Sequence, residues 1–138
     1  MAKITGIGGI FLKSDDPQAT KKWYTEHLGL ATDDYGATFE WSELGNPDKK
    51  AHTVWSPFSK DTLYFAPSRK DFMINFRVDN LIEILDHLKT QGIEPIGEMQ
   101  EYSYGKFAHI LDPDGTKIEL WEPIDDGFNE TEEENANK

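Results

Sequence analysis

Three side chains in this 138-residue chain, Glu119, His109 and Glu40, are of types that accept and release protons near neutral pH when a fold brings them together. Glu119 follows the turn sequence Asp112-Pro113-Asp114-Gly115, and His109 precedes it. Proline suits the second position of a type I turn, and glycine suits the left-handed residue of the bulge that follows. A three-residue loop of this kind opposes Asp112 with Thr116. Counting back, it sets His109 opposite Glu119 and Phe107 opposite Trp121, with Cβ atoms about 5 Å apart on one face. A four-residue loop would put Ile110 there and turn His109 outward; the Pro-Asp-Gly composition favours the shorter loop. A carboxylate beside an imidazole is an acid–base pair, and a carboxylate withheld from water often marks function. Glu40 enters by internal similarity: Tyr35-Gly36 answers Tyr104-Gly105, so Glu40 corresponds to His109.

That similarity runs through the chain. "IGGIFLKSDDPQATKKWYTEHLGL" (7–30) parallels "DFMINFRVDNLIEILDHLKTQGI" (71–93). Each opens with the alternation of a half-buried strand, Ile10/Leu12 and Ile74/Phe76/Val78. Each then offers a helix cap, Asp16 before Pro17 and Asn80 before Leu81. Apolar residues at Ala19, Trp23, Tyr24 and Leu28, and at Leu81, Ile84, Leu85 and Leu88, fall at helical spacing. Gly29 and Gly92 end the two helices. Strand-like segments follow in both copies, closing on Thr53-Val54-Trp55-Ser56-Pro57 and Glu119-Leu120-Trp121-Glu122-Pro123. The expected fold class is α+β: two β-α-β-β-β modules, residues 5–58 and 71–123, joined by a connection over 59–70 within one domain, 1–123. One short helix does not cover a four-stranded sheet. Two modules side by side curve their sheets around a shared hollow.

"GGIFLKSDDPQATKKWYTEHLGL", "MINFRVDNLIEILDHLKTQGI" and "AHILDPDGTKIELWEP" together resemble the vicinal oxygen chelate superfamily: glyoxalase I, bleomycin-resistance proteins and extradiol dioxygenases. The resemblance implies a cupped, mostly antiparallel sheet with a ligand cavity. It also implies a divalent metal held by the first and last strands of each module. Those positions fall here on Gly9, Thr53, Met73 and Glu119, of which only Glu119 is an ordinary ligand. A slip of one residue substitutes Gly8 or Phe72 and restores nothing. No cofactor is therefore expected, a divalent metal on Glu119 with a displaced ligand set being the alternative. If Gly9 and Met73 face the cup, alternation adds Phe11 and Lys13, and Asn75 and Arg77. Trp55 and Trp121 share the faces of Thr53 and Glu119 and would wall the cup with flat apolar surface; by the same parity His52 faces away. Plainer readings stand beside these: Glu119 as a partner for Arg77, the tryptophans as core, Glu40, Lys13 and Arg77 as solvated charge.

Net charge is −12, and the last fifteen residues, "IDDGFNETEEENANK", supply −5 of it. An acidic tail over 124–138 is expected to be disordered. The acidic balance argues against nucleic acid, whose phosphates ask for basic patches. Without cysteine there is no disulfide, thiolate metal site or thiol nucleophile. No membrane span or export signal is read, so a cytoplasmic protein is expected, and the resemblance adds a homodimer. Two functions remain open: a protein that holds a small organic molecule in the cup, or a lyase, isomerase or dioxygenase working through Glu119 and His109.

Overall fold

The computed structural model describes residues 2–124. The alternation before Asp16 forms β1 (Ile4–Ser14), and the Asp16 carboxylate accepts from the Ala19 amide to start α1 (Pro17–Leu28). The chain returns through β2 (Ala37–Glu43) and β3 (Asn46–Ser59). The second module repeats the plan with β4 (Phe72–Val78), α2 (Leu81–Thr90), β5 (Gln100–Tyr102), β6 (Gly105–Leu111) and β7 (Lys117–Pro123). All seven strands form one sheet in the order β2-β3-β1-β4-β7-β6-β5. Pairings β1–β3 and β4–β7 are parallel and the rest antiparallel. The α+β, mostly antiparallel architecture is the expected one, with the modules joined through β1 and β4 at the centre.

The copies differ in one element. Module two has three strands after its helix, whereas module one has two. Where a counterpart of β5 would run, the Asp33 carboxylate accepts from the amides of Tyr35 and Gly36 and closes a turn. The carbonyls of Asp33 and Asp34 instead receive the Lys21 ammonium, at 3.1 Å each. The connection between modules runs over 60–71, because β3 continues through Pro57 to Ser59 and β4 starts at Phe72. The expected disordered tail lies, apart from Ile124, outside the described residues.

One face of the sheet carries the helices. There Val78, Leu81, Leu85, Ala108 and Leu120 form a buried cluster flanked by Phe76, Ile84, Ile110 and Ile118. Helix α1 covers its half less well: Trp23 and Leu28 stay 52% and 64% exposed, beside an apolar groove of about 320 Å³ lined by Ile10, Tyr24, Phe39 and Trp55. Helix α2 is capped by Asn80, whose side chain accepts from the Glu83 amide at 3.1 Å. Asn80→Ala should lower stability by about 1 kcal/mol in urea unfolding, the usual cost of an N-cap. The opposite face, which carries Asn75 and Glu119, is the concave one.

Candidate functional site

Central pairing decides which side chains meet on the concave face. Gly9 stands opposite Asn75, Phe11 opposite Met73, and Asn75 opposite Glu119. The turn at Asp112 has the three-residue form: Asp112 donates to the Thr116 carbonyl at 2.9 Å, and His109 pairs with Glu119. Glu119 is 3% exposed and surrounded by donors. Asn75 Nδ2 reaches Oε1 at 2.7 Å, while His109 Nε2, at 2.8 Å, and the Tyr64 hydroxyl both reach Oε2. Burial works against the charge of Glu119. The hydrogen bonds from His109, Tyr64 and Asn75, with the His109 charge, outweigh it and hold the carboxyl below its ordinary range. An ionised carboxylate only accepts, so His109 donates through Nε2.

Tyr64 was not singled out in the sequence, because it lies in the connection between modules, in "TLYFAP" (62–67). An aromatic pair inside a polar linker was the available signal. Burial, the Glu119 charge and their hydrogen bond push the Tyr64 phenol far above the ordinary tyrosine range, so it is a neutral donor. Lys117, also not anticipated, gives its ammonium to the Tyr64 carbonyl at 2.7 Å and sits 5.3 Å from the Tyr64 ring centre. Burial lowers its pKa, against an opposing pull from Glu119.

Of the remaining sequence candidates, Asn75 and Met73 are buried on the concave face, 3% and 0% exposed. Phe11 shares that face and meets Phe58, and Lys13 lies 5.8 Å from the Phe65 ring. Arg77 is not a rim charge: it is 1% exposed, its guanidinium 5.7 and 5.2 Å from the rings of Trp41 and Trp121. Trp121 stacks on Phe107 at 5.7 Å and shares the strand face of Glu119.

Trp55 does not. Gly9 pairs with Val54 and Phe11 with Ser56, so Val54 and Ser56 face the cup, while Thr53 and Trp55 face α1, where Trp55 meets Tyr24 at 4.4 Å. The likeness of Thr53–Pro57 to Glu119–Pro123 is thus a likeness of letters. The residue across from Phe11 in module one, as Glu119 is across from Asn75 in module two, is Ser56. The same shift puts His52 on the concave parity, opposite Glu40. Glu40 sits on the edge strand with its side chain 59% exposed, 3.6 Å from His52 and 4.0 Å from Lys50, and does not join Glu119 and His109.

The donors do not fit the inherited metal site. Thr53 faces the helices and donates to the Ile7 carbonyl at 2.5 Å. A Cβ at Gly9 would lie 2.7 Å from the Phe11 ring, and both oxygens of Glu119 already serve protein donors. Among the described residues no three of His, Cys, Asp and Glu converge on a point, whereas a divalent ion asks for three or four nitrogen, oxygen or sulfur ligands. What the arrangement offers instead is a buried anion with an adjacent imidazole, beneath aromatic rings.

Among the described residues no helix is long and apolar enough to cross a membrane. Residues 6–120 match the model of the Glyoxalase/Bleomycin resistance protein/Dioxygenase superfamily. The uncharacterized protein YetH of Bacillus subtilis is 26% identical over 86% of this chain and 99% of its own. Among solved structures, a methylmalonyl-CoA epimerase from Streptomyces coelicolor superposes with a TM-score of 0.64 at 14% identity, over 88% of this chain and 99% of that one. A second, from Mycobacterium tuberculosis, gives 0.56 at 18% identity, over 88% and 89%. At those identities the solved structures speak for the fold alone. With the family model spanning both modules and the central seam between them, this chain belongs to the Glyoxalase/Bleomycin resistance protein/Dioxygenase superfamily.

Proposed function

We propose that the chain binds a small organic molecule in the cup, on Glu119 and His109 and against the Phe107–Trp121 wall, without a metal at the inherited site. The observation that carries this reading is the environment of Glu119: its charge is held by His109, Asn75 and Tyr64, three protein donors, where a metalloenzyme would spend it on a cation. The overall charge of −12 supports a small molecule over nucleic acid as the partner. A cytoplasmic setting and a homodimer complete the proposal, both carried over from the sequence reading.

Metal analysis tests it. Protein purified without chelator should hold well below one equivalent of nickel, zinc, manganese or iron, and EDTA should leave its melting temperature unchanged. Stoichiometric metal that disappears in Glu119→Gln would overturn the proposal in favour of a displaced metal site.

One observation favours a second reading, turnover. His109 Nε2 lies 2.8 Å from Glu119 Oε2, the arrangement that orients an imidazole for proton transfer through its other nitrogen. A lyase, isomerase or dioxygenase activity in this chain would be lost in His109→Gln while the circular-dichroism spectrum of the fold stayed unchanged.

A further inference from the structure

Tyr64 occupies the site in a way that reveals what the site recognises. Its hydroxyl donates to Glu119 Oε2, the oxygen that also receives His109 Nε2. Its ring lies nearly parallel to Phe58, at 5.9 Å and 17°, and meets the His109 ring edge-on at 5.6 Å and 89°. Lys117 Nζ is 5.3 Å from the ring centre. The side chain is therefore read at both ends: an aromatic slot takes the ring, and a buried carboxylate takes the O–H.

The backbone around Tyr64 lets it leave. It belongs to no strand, so its departure breaks no ladder hydrogen bond. The neighbour Phe65 is 0% exposed, packed on Phe58 at 5.3 Å, and anchors the connection. Leu63 and Tyr64 are 84% and 40% exposed, on the outer side of that anchor. Rotation of one side chain into water, with Phe65 in place, opens the slot and leaves Glu119 Oε2 with His109 as its one protein donor. A departing donor that left this carboxylate without a replacement would cost free energy, so the slot favours exchange of one donor for another.

We infer that Tyr64 is an internal stand-in for the ligand, and that the cup takes a neutral hydroxylated aromatic ring whose O–H replaces the Tyr64 hydroxyl on Glu119. This deepens the binding reading above and rests on it. A phenolate is rejected, because its charge would face the ionised carboxylate in a buried place. A ring without a hydroxyl binds less well, because Glu119 then loses a donor.

The test uses 4-methylphenol, which is the tyrosine side chain as a free molecule, with toluene as its hydroxyl-free counterpart. In the wild-type chain labelled with 3-fluorotyrosine, the Tyr64 resonance is assigned from its absence in Tyr64→Phe. Saturating 4-methylphenol should move that resonance to the position of an exposed tyrosine, and toluene should not. Tyr64→Ala removes the internal competitor. By calorimetry it should bind 4-methylphenol about tenfold more tightly than the wild type does, and about tenfold more tightly than it binds toluene, the worth of a hydrogen bond to a charged acceptor. A resonance that stays fixed at saturation, or a Tyr64→Ala that does not distinguish the two probes, would overturn the inference. In either of those cases, binding of other organic molecules with quenching of Trp121 fluorescence leaves the broader reading standing. If no molecule in a diverse library binds, the broader reading falls as well.

Discussion

Replacing Glu119 by glutamine should destabilise the protein by about 3 kcal/mol near pH 7, the scale for spoiling one member of a buried charged network. For a chain of this length that is a fall of roughly 10 °C in melting temperature. The amide keeps one acceptor oxygen but turns an NH₂ group toward donors: His109 and Tyr64 on one side, or Asn75 on the other. The pH dependence follows from the lowered pKa of Glu119. A carboxyl whose folded pKa lies below its unfolded value stabilises the fold at pH above the unfolded value, ordinarily 4.5 for this group. That contribution is lost as pH falls through the folded value. The gap between wild type and Glu119→Gln should therefore be widest near neutrality and close progressively below about pH 4. Urea unfolding of both proteins across that range checks it. A gap independent of pH would mean that the carboxylate charge is not what the surrounding donors hold.

Gly36→Ala should cost at least as much, about 3 kcal/mol or more, for reasons of backbone alone. Gly36 has φ +130°, and a Cβ there would lie 2.0 Å from the Trp55 carbonyl oxygen and 2.9 Å from the Ser56 Cα. Those atoms belong to β3 within its ladders to β1 and β2, so they do not retreat without breaking sheet pairing. Gly29 is the control. Its φ is +69°, but nothing lies within 4 Å of an added Cβ. Gly29→Ala should cost only the left-handed penalty, about 1 kcal/mol. Equal losses in urea unfolding, with unchanged m-values, would show that β3 yields to the intruding methyl. Gly105 repeats the arrangement in module two, where an added Cβ would lie 2.6 Å from the Glu122 carbonyl oxygen. The repeated Tyr-Gly pairs are thus two places where a strand begins against its neighbour's backbone.

What could be read from the residues was whatever depends on near neighbours in sequence. Helix caps at Asp16 and Asn80 are local hydrogen bonds, and the His109–Glu119 pairing follows from a turn whose length Pro113 and Gly115 dictate. The face of Trp55 could not be read this way. It depends on the parallel register of β3 against β1, strands separated by a helix and a hairpin, and a slip of one residue turns every side chain over. The same inversion misplaced His52 and Thr53. Arg77 was assigned to the right face but not to its burial, because the indoles that cover it come from β2 and β7. Tyr64 was missed since nothing local distinguishes a linker tyrosine that bends back onto a strand from one that points to solvent.

The central β1–β4 seam relates two halves that are no longer chemically equal. Where module two sets Asn75 beside Glu119, module one sets Phe11 beside Ser56, so the buried carboxylate stands on one wall of the hollow and has no counterpart across the seam. Each chain then offers a single, handed seat. Titration should saturate at one molecule per polypeptide, with the polar end of the guest always turned toward the second half.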